Sequence, residues 1–324
     1  MRIVLCYPVE RHHVAQIAAV APQAEIVDAG QEHVAKAIFS ADIFCGHAKV
    51  PVDWPAVVKA GRLRWIQSSA AGLDHCLVPE VVASGMLVTS ASGVLADQVA
   101  EHAIALACGL SRSLPVFFRA QQAREFVRRP TRDLHGSTVG IVGLGGNGRR
   151  MSEVLSVFKT RVLATDYFPV DKPACVAELW PPERLDEVLR QAEFLFITAP
   201  LTSQTHHMID ARRLALLPRG AFLVNVARGP LVVEDDLVAA LRSGQLAGAG
   251  LDVTEIEPLP RTSELWELPN VIITPHVGGQ SKLRIDQMTD FFCENLRRYL
   301  AGQDLHNLVD KRLGFPVRGP ISTR

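Results

Sequence analysis

The chain alternates between short apolar runs and longer stretches with helical spacing. "RIVLC" (Arg2 to Cys6), "AEIVD" (Ala24 to Asp28), "DIFCG" (Asp42 to Gly46), "LRWIQ" (Leu63 to Gln67) and "MLVTS" (Met86 to Ser90) read as strands. The segments between them are helical or irregular, which predicts a small α/β layer with a parallel sheet. An alanine- and leucine-rich helix follows over 97–112, with Asp97 placed as its N-cap. A second series of runs then begins at "STVGIVGLG". It continues through "RVLATD", "EFLFITAP", "AFLVNVARG", "AGAGLDV" and "NVIITPH". These runs are apolar at nearly every position, the pattern of strands covered on both faces. Helical patterns intervene, as over Glu234 to Arg242, and a last one covers Ser281 to Leu300. The pattern divides the chain into residues 1–97, a central domain over 98–286, and a C-terminal helix and tail over 287–324 that packs back on the first part.

One turn in this pattern carries chemistry. In "VGIVGLGGNGRR", Gly143, Gly145 and Gly148 fit G-x-G-x-x-G between an apolar strand and a helix. The next strand ends in Asp166, eighteen residues past Gly148, close to the ~20 of a dinucleotide-binding unit. The first glycine permits the tight turn, the second admits a pyrophosphate to the backbone, and the third packs helix on strand. Free N–H groups at the helix start, at Gly146 and Asn147, meet the phosphate charge. A carboxylate at Asp166 accepts hydrogen bonds from a ribose and repels a 2′-phosphate, which favours NAD over NADP.

The central strands end in Asp166, Pro200, Arg228, Asp252 and His276. Ligands of open parallel sheets bind at the carboxyl ends of strands, so these residues point to one crevice. The Arg228 guanidinium suits a carboxylate or keto oxygen. His276 is the natural proton donor and acceptor near neutrality. Glu257 is placed to pair with it, and a carboxylate beside an imidazole favours the protonated ring. Taken singly, each has an ordinary structural reading. Together, beside a dinucleotide motif, they favour hydride transfer with acid–base assistance.

Composition narrows the class. Lys plus Arg and Asp plus Glu are each 34, giving zero formal charge, which argues against a nucleic-acid or membrane-surface partner. The one basic stretch, "REFVRRPTR" over Arg124 to Arg132, reads as a solvated loop. The six cysteines are scattered without a C-x-x-C pair, as in a reduced intracellular protein without a zinc or disulfide framework. "MRIVLCYPVE" is too short an apolar run for a signal peptide, and no run reaches membrane-spanning length. The expected location is the cytoplasm. His12 and His13 read as surface residues, and no metal site is expected.

The chain resembles the D-isomer-specific 2-hydroxyacid dehydrogenases, a family that includes glyoxylate/hydroxypyruvate reductases, phosphoglycerate dehydrogenases and formate dehydrogenases. The resemblance runs from "WIQSSAAGLDH" to "PHVGG" and rests on "VAEHAIAL", "GSTVGIVGLGGNGRR", "PLTSQTHHMID", "LPRGAFLVNVARGPLVVEDDLVAAL", "GAGLDVTEIEPLP" and "NVIITPHVGG". It implies a doubly wound Rossmann NAD domain inserted into a discontinuous flavodoxin-like α/β substrate domain, paired as a homodimer through the cofactor domain. It implies that Arg228 holds the substrate and that Glu257 and His276 form the acid–base pair. The backbone of Ala71 and Gly72 would bind the substrate carboxylate. Asp252 would meet the nicotinamide amide, with Thr205, Ala227, Pro200 and Gly278 completing the cofactor site. His102, in "VAEH", takes a structural role, and His206 and His207 take none in the chemistry.

Three departures stand out. Gly146 and Asn147 replace the Arg-Ile common between the second and third glycines, which removes the apolar packing of the isoleucine. "AAG" replaces "SAG" and removes one hydroxyl near the substrate loop. Phe126 followed by arginines stands where the family often has Trp. The leading function is interconversion of a 2-keto acid and a D-2-hydroxy acid with NAD(H). An NAD-sensing corepressor-like protein of the same fold, or a phosphoglycerate-type dehydrogenase, is the alternative.

Overall fold

The computed structural model describes residues 1–169 and 171–316. The chain forms two compact units, one from Met1–Leu95 with the chain from Ser281 onward, the other from Ala96–Gln280. The second break falls just ahead of the long helix Arg284–Leu300. That whole helix therefore goes with the outer unit, whereas the sequence pattern assigns its first residues to the central domain. Its Phe292, Cys293 and Leu296 pack in one cluster with Ile3, Leu5 and Ile17, which fixes the assignment.

The outer unit holds a parallel sheet of β1 (Arg2–Cys6), β2 (Glu25–Asp28), β3 (Ile43–Gly46), β4 (Trp65–Gln67) and β5 (Leu87–Thr89). Its order is β2-β1-β3-β4-β5, the flavodoxin-like arrangement. Cys6, Cys45, Cys76 and Cys293 are buried. Burial pushes the Cys6 and Cys293 thiols up to about 11 and the Cys76 thiol up to about 12, so they pack as protonated side chains.

The central unit holds β6 (Thr138–Val142), β7 (Arg161–Thr165), β8 (Val176–Trp180), β9 (Phe194–Ile197), β10 (Ala221–Asn225), β11 (Leu246–Leu251) and β12 (Val271–Ile273). They lie in the order β12-β11-β10-β9-β6-β7-β8, every pair parallel. Strands β9 and β10 are buried at every residue, as double-sided cover requires. β8 is absent from the sequence reading. It is an edge strand, buried fully only at Val176, so it lacks the continuous apolar run of its neighbours.

The helix Ala96–Ser111 lays Ala100, Ala103, Leu106 and Ala107 into the core of this unit. Asp97 lies inside its first turn rather than at the N-cap. There its charge still suits the positive end of the helix. Among the described residues no single helix is long and apolar enough to cross a membrane. The bent pair Ala96–Ser111 and Leu114–Ala123 passes by length and composition only.

Candidate active site

The helix Gly146–Ser156 starts directly after Gly145, so its first N–H groups have no partner within the helix. The three motif glycines divide by what surrounds them. At Gly143, where φ is +93°, a Cβ would stand 2.7 Å from the Ala199 backbone, and at Gly148 it would stand 2.2 Å from the Gly143 carbonyl. Both are glycines because the protein itself fills the space. At Gly145 no protein atom lies within 4 Å of an added Cβ. That bare position at a helix N-terminus is where a pyrophosphate fits. Asp166, just past β7, is locked to the same turn. Its Oδ2 accepts from Leu144 N at 2.7 Å and its Oδ1 from Phe168 N at 2.9 Å. The residues present thus fit a dinucleotide: a phosphate cradle with a fixed carboxylate beside it.

At the neighbouring strand ends, Asn225 is buried and closes the turn after β10. Its Nδ2 donates to the Arg228 carbonyl at 2.9 Å and its Oδ1 accepts from Ala227 N at 3.1 Å. Arg228 is half-buried and its Nη1 donates to the Ala227 carbonyl at 2.8 Å. Gly229 follows because a Cβ there would stand 1.8 Å from the Thr254 carbonyl. Thr205 Oγ1 donates to the Pro200 carbonyl at 2.7 Å and accepts from Thr202 N at 2.8 Å, folding that loop on itself.

Glu257 and His276 come together, nineteen residues apart in the chain. His276 Nδ1 lies 2.9 Å from Glu257 Oε2, and Thr254 N donates to Glu257 Oε1 at 3.2 Å. A carboxylate only accepts, so the ring proton at this contact sits on Nδ1. Both side chains are partly open to solvent, 46% and 40% exposed. His276 has φ +54°, a left-handed backbone that costs a side-chain-bearing residue about 1–2 kcal/mol. Asp252, 3% exposed, holds it there. The Asp252 carbonyl accepts from His276 N, its Oδ1 from Val277 N and its Oδ2 from Gly278 N.

Ala71 and Gly72 lie in the loop after β4 of the outer unit, Ala71 exposed and Gly72 half-buried. His207, read as chemically idle, binds Glu255 at 2.8 Å. His13 is a correction. It is 2% exposed rather than on the surface, with Nε2 2.7 Å from Asp286 Oδ1. This bond, with a second from His12, holds the Asp286 carboxyl below the usual range. His12, His13 and Asp286 are close enough to share an ion. However, His13 Nδ1 accepts from Glu10 N at 3.0 Å, so the ring's proton occupies Nε2, the atom an ion would need.

A glycine turn on a helix start, with polar residues ending successive parallel strands, defines a dinucleotide-dependent enzyme of the doubly wound class. Residues 104–278 match the family described as D-isomer specific 2-hydroxyacid dehydrogenase, NAD binding domain. A glyoxylate reductase of Pyrococcus furiosus is 34% identical over 83% of this chain and 82% of its own length. One from Thermofilum pendens is 32% identical over 81% and 79%. The fold is similar to a D-isomer specific 2-hydroxyacid dehydrogenase from Xanthobacter autotrophicus Py2, solved with NADPH and MES. The TM-score is 0.83 at 30% identity, covering 97% of this chain and 99% of that one. It is also similar to an NADPH-dependent glyoxylate/hydroxypyruvate reductase from Sinorhizobium meliloti, with TM-score 0.81 at 25% identity over 97% and 99%. The chain belongs to the D-isomer specific 2-hydroxyacid dehydrogenase family. It is an oxidoreductase that takes a nicotinamide dinucleotide.

Proposed function

We propose that this enzyme interconverts a small 2-keto acid and the D-2-hydroxy acid, with glyoxylate and hydroxypyruvate as the first substrates to test. The relatives named as glyoxylate reductases support this class. The observation that carries the reading is the 2.9 Å contact of His276 Nδ1 with Glu257. With Nδ1 engaged, Nε2 is the atom that gives a proton to the substrate carbonyl oxygen and withdraws it in the reverse direction. Arg228 anchors the carboxylate and polarises the carbonyl, its loop stiffened by Asn225. The N–H groups of Ala71 and Gly72 serve the carboxylate, and those of Gly145, Gly146, Asn147 and Gly148 serve the pyrophosphate. Pro200, Thr205, Ala227, Asp252 and Gly278 line the cofactor. When bound, the nicotinamide supplies the hydride.

NADH is the proposed reductant, although three similar structures hold NADPH or NADP. The Asp166 carboxylate is fixed by two backbone N–H groups, and a 2′-phosphate would bring a second negative charge to it. We further place the enzyme in the cytoplasm as a homodimer. Phe118 is 58% and Phe126 93% exposed on the central unit, apolar surface that a second copy would cover. Light scattering tests the pairing. The function itself is tested by steady-state assays of 2-keto acids with NADH and NADPH. Absence of turnover, together with retained NADH binding, would favour a cofactor-sensing protein.

A further inference from the structure

We propose that His102 and Thr274 are positioning residues for the reacting histidine, acting as a hydrogen-bonded chain through Asp252. The inference rests on the reading of His276 as the acid–base group. The left-handed backbone of His276 persists only if its surroundings hold it, and the holding group is Asp252. The backbone carbonyl and both carboxylate oxygens of this one residue take the N–H groups of His276, Val277 and Gly278, at 2.8, 2.9 and 2.8 Å. The carboxylate must therefore stand at a fixed angle. The loop's own N–H groups follow that angle, and two side chains from outside 276–278 brace it.

Those side chains are Thr274 and His102. Thr274 Oγ1 lies 2.6 Å from Asp252 Oδ1, and His102 Nε2 lies 2.8 Å from Thr274 Oγ1. The carboxylate only accepts, so the threonine hydroxyl donates its one proton to it. The hydroxyl then has only lone pairs for His102, so His102 carries a proton on Nε2. The direction is fixed from end to end: His102 to Thr274 to Asp252, with the 276–278 loop closing on the same carboxylate. His102 Nε2 also lies 3.3 Å from Asp252 Oδ1. His102 projects from the core helix Ala96–Ser111, whose packing anchors the chain. On the other side the approach is just as tight, since a Cβ at Gly278 would stand 2.9 Å from Asp252 Oδ2.

A positioning chain acts first on the reacting group, although Asp252 and Gly278 also line the proposed cofactor site. Removing its hydroxyl should lower kcat far more than it changes KM or NADH affinity, which the glycine turn and Asp166 set at a distance from it. The experiment is a double-mutant cycle of Thr274→Val with His276→Ala, with kcat and KM for an accepted 2-keto acid and NADH binding by fluorescence. Thr274→Val alone should lower kcat about 10- to 100-fold, the scale of a misplaced reacting group. Thr274→Ser, which keeps the hydroxyl, should recover to within about 3-fold. In the His276→Ala background, Thr274→Val should cost less than about 2-fold more, because its effect passes through the missing ring. If Thr274→Val folds poorly, His102→Met against His102→Gln, which keeps a donor, runs the same cycle. Wild-type kcat in Thr274→Val, an undiminished loss on top of His276→Ala, or NADH affinity falling in step with kcat would each overturn the chain. Wild-type kcat in His276→Ala would instead remove the acid–base reading and this inference with it.

Discussion

Glu257 Oε2 stands 2.9 Å from His276 Nδ1, and the two residues come from different loops at one end of the central sheet. The contact selects the tautomer of the histidine and leaves Nε2 as the proposed working atom. If Nε2 moves the reacting proton, His276→Ala should lower kcat ~10²–10⁴-fold, the usual worth of a positioned acid–base group. NADH affinity should change little, because the glycine turn and Asp166 lie elsewhere. A loss confined to KM would mean that His276 binds substrate and does not move the proton.

Arg228→Lys keeps the charge and loses the planar fork. Its kcat/KM should fall at least ~100-fold, because a carboxylate held by a point charge no longer fixes the carbonyl. Near wild-type kinetics in this variant would move the anchor to another residue.

The cofactor turn separates stability from binding. Gly148→Ala drives a Cβ to 2.2 Å from the Gly143 carbonyl and should destabilise by about 1–3 kcal/mol through overpacking. Gly145→Ala meets no protein atom within 4 Å, and its φ of −72° suits alanine. It should leave the melting temperature within about 1–2 °C, as surface changes do. NADH affinity should fall at least ~10-fold, about 1.4 kcal/mol. Calorimetry with nucleotide titration checks both. Unaltered NADH binding in Gly145→Ala would dismiss the phosphate cradle.

Wild-type enzyme should use NADH with higher kcat/KM than NADPH. Asp166→Ser should narrow that preference about 10–100-fold, the range of a lost charge-assisted hydrogen bond with its repulsion. Assays of both nucleotides on both proteins decide it. A wild-type preference for NADPH would end the argument from Asp166.

Much of this was legible in the chain because parallel sheets write their strands as continuous apolar runs. A polar residue ending such a run, like Asp252 or His276, stands out. β8 was not legible, because an edge strand needs no apolar face on both sides. The Asn225 clamp leaves one signal in the chain, a single amide inside the apolar run "AFLVNVA". Thr274 left almost none, since its partners His102 and Asp252 lie far along the chain and no periodicity links them. His13 misled for the same reason. Its cover comes from a helix more than 270 residues away.

Glu257→Gln tests the acid–base pair most sharply. The amide keeps the shape, but its NH2 group donates where a carboxylate only accepts. The 2.9 Å contact then no longer forces the ring proton onto Nδ1, and Nε2 is no longer held in one role. kcat should fall at least ~100-fold in reduction and in oxidation alike, because an acid–base group in the wrong tautomer cannot move the proton. NADH affinity should stay nearly unchanged. Thr254 N also rests on this carboxylate, so Thr254→Ala serves as the control for a disturbed loop and should cost far less. The measurement is kcat and KM in both directions for wild type, Glu257→Gln and Thr254→Ala, with NADH titration of each. Wild-type kcat in Glu257→Gln, or an equal loss in Thr254→Ala, would break the pairing as a source of catalysis, even with His276 itself essential.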